Sequence, residues 1–489
     1  MKRNSLTTAV VAGIAGVAGF AGLANAVDLN PDGLGQVLIY PYYTVNKSQD
    51  TLLSVVNTDA VNGKAVKVRF LEGYNSREVL DFNLFLSVND VWTAAISQTA
   101  DEGAAKIRTA DNSCVYPESD STGSLHGDGV HFRTNAFDGT FAGFPLDGGP
   151  TDVTRTREGY FEIISMGDII PGSPTDGRIT HEQGSGPNTG MPPGCAGITN
   201  DNVNADLDTP TGGLFGSGVI VNVGEGTFFG YTADAIEGFT EEPLFSGSSG
   251  LTPSLAQANT LTSAAGGAIA YVFVSGGALL TLDYADGIDA VSAVFAADAI
   301  YNEFLTDTGL GANTDWIVTF PTKRFYVDTY YTGGTGAIAP FFEEFDGESN
   351  VEVVPTRYDR EEGTTTTQDD FSPPVSSQPN SLPCEVNVIS FLTNTNAGDP
   401  SGVFGSLLRP NIPPYGAYGW VRMDLASGNG GHALRPDFTG IVVNGLPVTG
   451  YMGYNIINAN ANPGLLANYG GLFRHRASRS CSGADPACS

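Results

Sequence analysis

Hydrophobic and polar residues alternate with a period of two along much of the chain. In residues 65–70, three apolar side chains fall on one side of an extended chain, and Lys67 and Arg69 fall on the other. Residues 80–86 repeat the pattern. A strand of an antiparallel sheet shows this alternation when one face is buried and the other is wet. We therefore predict two strands here, with Lys67 and Arg69 facing solvent.

Two further apolar stretches flank this pair, at residues 51–56 and 91–96. Turn-forming residues at 72–76 separate the two alternating stretches. Four strands joined by such short connections are typical of an antiparallel sandwich. We therefore predict an immunoglobulin-like antiparallel β-sandwich in the N-terminal region, over residues 27–111.

Short strands recur through the rest of the chain, so the predicted fold class is mainly β. Two connections, at residues 224–226 and 275–277, are glycine-containing turns that predict hairpins. Only residues 288–305 show helical periodicity, with Asp289 near the start, where negative charge suits the helix dipole. The later strands are predicted at residues 160–166, 219–223, 227–231, 271–274, 279–284, 316–320, 324–329, 385–391, 418–425 and 440–443.

Composition divides the chain beyond the predicted sandwich. Clusters of Gly, Pro, Asp, Ser and Thr indicate long loops or linkers, whereas alternating stretches indicate sheet. The predicted segments are a Gly/Pro/Asp-rich loop region (112–213), a further β-rich region with long loops and one helix (214–356, helix 288–305), a polar linker or loop (357–383), C-terminal strands (384–472) and a basic, cysteine-containing tail (473–489).

The first 26 residues have the three parts of a secretory signal peptide. Lys2 and Arg3 precede an apolar run at residues 9–23, and the run is followed by Ala24-Asn25-Ala26. That run is too short and too rich in glycine for a membrane span. We therefore expect cleavage after residue 26 and no transmembrane segment in the mature protein. The expected location is extracellular, at the outer cell surface, or periplasmic.

An exported chain meets an oxidising environment, where disulfides are the default state of cysteine. Cys481 and Cys488 are close enough in sequence to close a small loop. A bond between Cys114 and Cys195 would staple the Gly/Pro-rich region. The fifth cysteine, Cys384, is then left unpaired.

The chain carries a formal net charge of −30. Such a charge repels nucleic acid and anionic membranes, so neither is an expected partner. Two explanations of the charge stay open. It keeps the protein soluble in salty water, where self-repulsion is screened, or some carboxylates are gathered to bind divalent cations, calcium above all.

Two strings resemble a group of secreted Gram-negative bacterial proteins that are uncharacterised. They are YPYYTVN at residues 40–46 and VKVRFLEGYNSREVLDFN at residues 66–83. The resemblance is clearest over residues 27–100. It implies an exported, surface-associated protein and brings no activity, so it assigns no functional residue.

Two segments carry residue types that bind metal ions. The first, at residues 126–131, holds two imidazoles and a carboxylate on a glycine-containing loop, which could face one transition metal. In the second, oxygen-bearing side chains occupy alternate positions, so an extended chain would present them on one side to calcium. A solvated loop and turn formation by Asn and Asp explain the two patterns as well. The candidate ligands are His126, Asp128 and His131, and then Asn202, Asn204, Asp206 and Asp208.

No recognised catalytic motif occurs in the sequence. The nucleophile elbow of serine hydrolases, the P-loop and the H-E-x-x-H zinc motif are all absent. Aromatic clusters could form platforms for sugar stacking or protein contact, although core packing explains them as well. These clusters are Tyr40, Tyr42 and Tyr43, then Tyr330 and Tyr331, and then Tyr415, Tyr418 and Trp420.

These observations favour a non-enzymatic, secreted structural or interaction protein of the cell surface or extracellular space. Cations could bridge its carboxylates, and the basic residues Arg474, Arg476 and Arg479 could dock onto another copy or onto a surface polysaccharide. The alternative is a secreted carbohydrate-active or metal-dependent enzyme with its site in the loops of residues 112–213, because functional residues often lie on loops over a β scaffold.

Export gives a direct test of the N-terminal interpretation. We expect the mature protein to begin at Val27 and to be recovered outside the cytoplasm, because the A-x-A sequence marks the cleavage site. Intact-mass measurement and N-terminal sequencing of fractionated cells check this. Recovery of the uncleaved chain from Met1 in the cytoplasm would contradict it.

Overall fold

The computed structural model describes residues 25–99, 103–141, 143–364, 380–391, 398–410, 412, 416–458 and 462–488. Residues 1–24 of the predicted signal peptide lie outside these ranges. So do residues 365–379 of the predicted linker, whereas residues on both sides of that gap belong to strands.

The first half of the described chain builds two antiparallel sheets. An eight-stranded sheet has the order β1-β14-β2-β10-β4-β5-β8, with β11 beside β10, and a six-stranded sheet has the order β13-β12-β3-β6-β7-β9. The strands are β1 Asp28–Leu29, β2 Val37–Thr44, β3 Asp50–Asn57, β4 Gly63–Glu72, β5 Glu78–Leu86, β6 Val91–Gln98, β7 Ala105–Arg108, β8 Cys114–Tyr116, β9 Val130–His131, β10 Glu158–Ile169, β11 Leu207–Asp208, β12 Leu214–Asn222, β13 Thr227–Thr232 and β14 Asp234–Glu237.

These two sheets pack face to face over the predicted apolar positions. The rings of Phe82 and Trp92, one from each sheet, meet with their centroids 5.7 Å apart. The Tyr40 hydroxyl crosses the same interface and donates to the Ser54 carbonyl at 2.7 Å. The sandwich prediction is therefore confirmed at the level of sheets, although its strands come from both sides of residue 111. The immunoglobulin-like assignment stays a prediction.

The second half builds a further pair of larger sheets, together with three two-stranded sheets. A five-stranded sheet has the order β21-β20-β23-β18-β28, and a four-stranded sheet has the order β22-β19-β26-β27. The strands are β15 Ala268–Phe273, β16 Leu279–Tyr284, β17 Ala296–Ala297, β18 Ala299–Leu305, β19 Ala312–Thr319, β20 Val351–Asp359, β21 Asn380–Leu382, β22 Val386–Ser390, β23 Tyr418–Asp424, β24 Val442–Val443, β25 Leu446–Pro447, β26 Thr449–Ile456, β27 Tyr469–Arg474, β28 Arg476–Ser478 and β29 Cys481–Ser482.

Two predicted elements differ from the helices of the structure, and three further short helices were not predicted. The predicted helix at 288–305 ends at Phe295, and the chain continues as β18, which pairs with β23 and β28. The predicted strand at 324–329 is wrong, because residues 324–327 are helical. In both places tertiary contacts outweigh a short local pattern. The α-helices are α1 Pro174–Ile179, α2 Asn200–Val203, α3 Gly287–Phe295, α4 Arg324–Val327 and α5 Thr329–Thr332.

The outer face of the eight-stranded sheet is not wet, so the prediction that Lys67 and Arg69 face solvent is wrong. Both side chains are buried. Lys67 forms an ion pair with Asp81 and donates to the Gly247 carbonyl at 3.1 Å. Arg69 donates to Glu78 at 2.6 Å and to the Pro253 carbonyl at 3.2 Å. A segment around residues 246–253 therefore covers this face.

Buried charges join the two halves of the molecule across the same face. The Glu162 carboxylate of β10 accepts from Arg324 of α4 at 2.8 Å and from Arg69 of β4 at 3.3 Å. Arg77, which lies between β4 and β5, pairs with Asp328 before α5 at 2.8 Å. All five side chains are buried. Polar groups buried in this way are retained only when they are paired, so this network fixes how the halves meet.

Two disulfides form as predicted, between Cys114 and Cys195 and between Cys481 and Cys488. Cys384 is free and buried, and burial raises the pKa of its thiol to about 12. Within the part of the chain that the structure describes, no helix is both long and apolar enough to cross a bilayer.

Replacing Glu162 with Gln tests the buried network. The substitution leaves Arg69 and Arg324 buried without their shared counter-charge, and we expect a loss of about 3–5 kcal/mol in the free energy of unfolding. Denaturant unfolding of the mature chain measures it. Glu361→Gln, which removes one partner of the exposed pair with Arg360, is the control and should leave the unfolding free energy unchanged. Equal stabilities for both variants would show that the network is dispensable.

Glu385 makes the stability depend on pH. Burial raises the pKa of this carboxyl to about 8, and the nearby Lys323 and Arg324 offset the rise only in part. An unfolded glutamate releases its proton near pH 4.3. Between these pH values the native state holds a proton that the unfolded chain has lost, so this group makes stability fall as pH rises towards 8.

Glu385→Gln cannot ionise and should therefore gain stability relative to the wild type as the pH rises. We expect a difference in Tm that is small at pH 5 and clearly positive at pH 8. Thermal unfolding at pH 5, 6.5 and 8 measures it, with Glu361→Gln as the control. A difference that stays constant across this range would contradict the role of Glu385.

Candidate functional site

Both ring nitrogens of His126 have hydrogen-bond partners within the chain. Nε2 donates to the Asp111 carbonyl at 2.8 Å, and Nδ1 lies 3.2 Å from the Glu118 carboxylate. Asp128 is exposed in the next turn, and His131 ends β9. Across the described ranges, no group of three or more His, Cys, Asp or Glu side chains is placed to hold a metal ion. The structure therefore does not bring His126, Asp128 and His131 together as one ligand set.

The calcium candidates do not lie on an extended chain. Asn202 belongs to α2, a 3₁₀ turn covers Asn204 to Asp206, and Asp208 ends β11. The expected placement of their oxygens on one side is therefore wrong. The Asn202 side chain accepts from the Thr199 amide at 3.0 Å and caps the helix.

The two carboxylates among these calcium candidates also accept local hydrogen bonds. Asp206 accepts from the amide and the hydroxyl of Thr175 at 2.9 and 2.7 Å. Asp208 accepts from the Thr209 amide at 2.8 Å. Turn and cap formation accounts for these residues, and calcium binding itself stays a prediction.

The basic C-terminal residues lie in or between strands and do not form a projecting tail. Arg474 ends β27 and forms an ion pair with Asp234, whereas the Nε of Arg479 donates to the Ala296 carbonyl at 3.0 Å. Arg476 lies on β28 and is exposed. Docking through these residues stays a prediction, and both Arg474 and Arg476 are exposed.

The aromatic clusters have different locations. Tyr40, Tyr42 and Tyr43 are fully buried in the core, as core packing predicts. Tyr330 and Tyr331 contact each other and neighbouring phenylalanine rings. Tyr415 lies outside the described residues. Tyr418 and Trp420 lie on β23 at the open side of the five-stranded sheet, and Trp420 is 39% exposed.

Strand register places further side chains beside Trp420. It lies opposite Glu303 of β18 on one side and opposite Tyr358 of β20 on the other. The rings of Tyr358 and Trp420 stack, with centroids 4.3 Å apart and planes 15° apart. The ring of Tyr301 follows on β18, 6.5 Å from Trp420. We call Tyr301, Glu303, Tyr358, Tyr418 and Trp420 the aromatic face.

An open depression of about 530 Å³ adjoins the aromatic face. Glu303 and Trp420 border it, together with Tyr454 and the half-exposed Phe473 of the neighbouring sheet. The Glu303 side chain is exposed. The depression therefore combines aromatic rings with a solvent-accessible carboxylate.

Charged groups at the margin of the aromatic face are already paired. The Tyr418 hydroxyl donates to Asp307 at 3.1 Å, and the Arg360 guanidinium lies 5.2 Å from the centre of the Tyr418 ring. Arg422, next to Trp420 on the same side of β23, donates to Asp424 at 2.9 Å. These contacts hold the polar margin in place, because charge-assisted bonds are strong and directional.

A second depression, of about 260 Å³, lies beside the first half of β5. Its lining includes Glu78, Asp81 and residues of the loop region 112–213, where the enzyme alternative places a site. An irregularity in the β4–β5 pairing lies between these two carboxylates. Burial and the Glu78 charge raise the pKa of Asp81 to about 7. Because Lys67 and Arg69 pair with the two carboxylates, the cleft continues the buried charge network.

Sequence reasoning identified Tyr418 and Trp420 but missed their partners. Tyr301, Glu303 and Tyr358 lie more than 50 residues away in the chain, and no local pattern marks them. Only the pairing of β18, β23 and β20 assembles the aromatic face. No protein-family model matches the chain, and no curated protein or solved structure is significantly similar to it.

Proposed function

We propose that this protein is a non-enzymatic interaction protein of the outer cell surface or extracellular space that binds a neutral polysaccharide through the aromatic face. The observation that carries the proposal is the Trp420 indole, stacked on Tyr358 and bordered by the exposed Glu303 on an open sheet. Export rests on the N-terminal 26 residues, and the two disulfides are compatible with an oxidising compartment.

The chemistry of the face suits a sugar. Sugar rings present apolar C–H groups on their faces and hydroxyls at their edges, so they pack on an aromatic ring and hydrogen-bond to polar groups beside it. Trp420 supplies the ring, and the Glu303 carboxylate accepts from hydroxyls. Tyr358 holds the indole on its other side, which lowers the entropy lost on binding.

Charge narrows the class of polysaccharide. The chain carries −30, and the exposed carboxylate of Glu303 adds a local negative charge at the depression. The neighbouring cations Arg360 and Arg422 are neutralised by Glu361 and Asp424. Anionic polymers are therefore repelled, and neutral ones are favoured.

Hydrolysis of a glycan in the β5 cleft is a second candidate function. The observation that favours it is the Asp81 pKa of about 7, because a general acid works best when its pKa lies near the working pH. The ion pair between Asp81 and Lys67 argues against it. Release of reducing sugar by the wild type, with loss in Asp81→Asn, would support this candidate.

Trp420→Ala should weaken polysaccharide binding about tenfold or more, because it removes the stacking ring, and tenfold corresponds to about 1.4 kcal/mol. Glu303→Gln should weaken it less, since an amide oxygen still accepts one hydroxyl bond. Affinity electrophoresis of the mature chain in gels of neutral and uronic-acid polysaccharides measures both effects.

The matched control removes an exposed aromatic ring elsewhere. Phe273 of the β15–β16 hairpin is 56% exposed, and Phe273→Ala should bind as the wild type does. Each variant should keep the wild-type Tm. Wild-type mobility that no polysaccharide retards, or retardation unchanged in Trp420→Ala, would refute the proposed function.

A further inference from the structure

The open side of the six-stranded sheet is unusual for so acidic a chain. Apart from Asp50 at the start of β3, the positions that face away from the core on β3, β6, β12 and β13 are apolar, small or hydroxylic. They are Leu52, Ser54, Val56, Val91, Thr93, Ala95, Phe215, Ser217, Val219, Val221, Phe228, Gly230 and Thr232. We call this surface the uncharged face.

Register arranges these residues in level rows across the sheet. Phe215, Val56 and Val91 form one row, and Val219 lies opposite Leu52 in another. Leu52, Val91, Phe215 and Phe228 are between 39% and 62% exposed. An open antiparallel sheet ordinarily presents polar and charged residues to water. A contiguous exposed apolar surface of this kind marks an interaction site.

The outward charges of this sheet collect at one corner. Asp50 lies at the start of β3 opposite Val221, and Lys106 and Arg108 lie on β7, where they pair with Ser97 and Ala95. The loop that carries His126 and Gly127 borders the sheet on the same side. The contact surface is therefore limited to β13, β12, β3 and β6.

We propose that the uncharged face binds the same face of a second copy and forms a twofold-symmetric dimer. Four strands spaced about 4.8 Å apart, each about eight residues long, offer roughly 500 Å² per copy. Two such faces bury about 1,000 Å², which is the lower limit for a specific interface. Two sheets pack at about 10 Å when their side chains are small, as most of these are.

Electrostatics favours a second copy of this chain as the partner that binds the uncharged face. Two chains that each carry −30 repel each other wherever their carboxylates approach within about the 8 Å Debye length of physiological salt. The four strands of the uncharged face carry a single outward carboxylate, Asp50 at the margin, so contact through this face brings few carboxylates near the partner. Identical faces are related by a closed twofold axis, so association stops at the dimer.

Sedimentation velocity of the mature chain at micromolar concentration tests the proposal. We expect a dimer that persists with EDTA and from 0.05 to 0.5 M salt, because its interface contains neither cations nor ion pairs. Val219→Glu places one negative charge from each copy at the centre of the dimer interface and should weaken association at least a hundredfold. Ser217→Arg is a second disrupting variant in case the first fails to fold.

The control places the same charge on another open sheet. Phe273 of β15 is 56% exposed, and Phe273→Glu should leave the dimer intact. Circular dichroism and Tm confirm that each variant is folded. A monomeric wild type, a dimer that EDTA dissociates, or a folded Val219→Glu variant that still dimerises would each overturn the proposal. None of these variants replaces a residue of the aromatic face, so each of them should still bind the polysaccharide.

Discussion

A buried charge network is the constraint on which the rest of this structure depends. The Glu162 carboxylate sits on the longest strand of the first sandwich and holds Arg69 of the same sheet and Arg324 of the second half. A carboxylate and two guanidinium groups are costly to remove from water unless they satisfy each other. The halves are therefore held in one arrangement, since a shift at their junction would leave a buried charge unpaired.

Backbone contacts extend the same junction. The amide of Val386 donates to the Gly73 carbonyl at 2.9 Å, and the Thr319 hydroxyl donates to the Pro41 carbonyl at 2.7 Å. Sheet faces that form the junction cannot also be surfaces for partners. The outer side of the eight-stranded sheet is covered, whereas the six-stranded and five-stranded sheets each keep an open face.

These two open faces differ in chemistry, and the difference separates their proposed roles. The five-stranded sheet carries aromatic rings with paired charges around them, which suits a ligand with apolar faces and polar edges. The six-stranded sheet carries rows such as Phe215, Val56 and Val91 without charge, which suits another sheet. An extracellular protein with both faces could bind a surface polymer as a dimer, and two linked sites raise avidity without any new contact.

Local patterns determined much of the strand content. Period-two alternation located β3 to β6 and the β12–β13 and β15–β16 hairpins, because one buried face imposes that period wherever a strand forms. The two disulfides were also predicted from the sequence, because Cys481 and Cys488 are close in the chain and a bond between Cys114 and Cys195 staples the Gly/Pro-rich region. The residues 299–305 were predicted as helix, because a short run of Ala, Ile, Tyr, Phe and Leu fits either period.

Everything that depends on which strands become neighbours was decided by the tertiary structure. Lys67 and Arg69 alternate with apolar residues as solvent-facing side chains do, yet a segment distant in the sequence covers both. Glu303 and Tyr358 become functional candidates only through their register with Trp420. The physical reason is that sequence periodicity reports only which face of a strand is buried. A binding site, or a charge that is covered, depends on residues that are distant in the sequence, and a short stretch of sequence does not contain them.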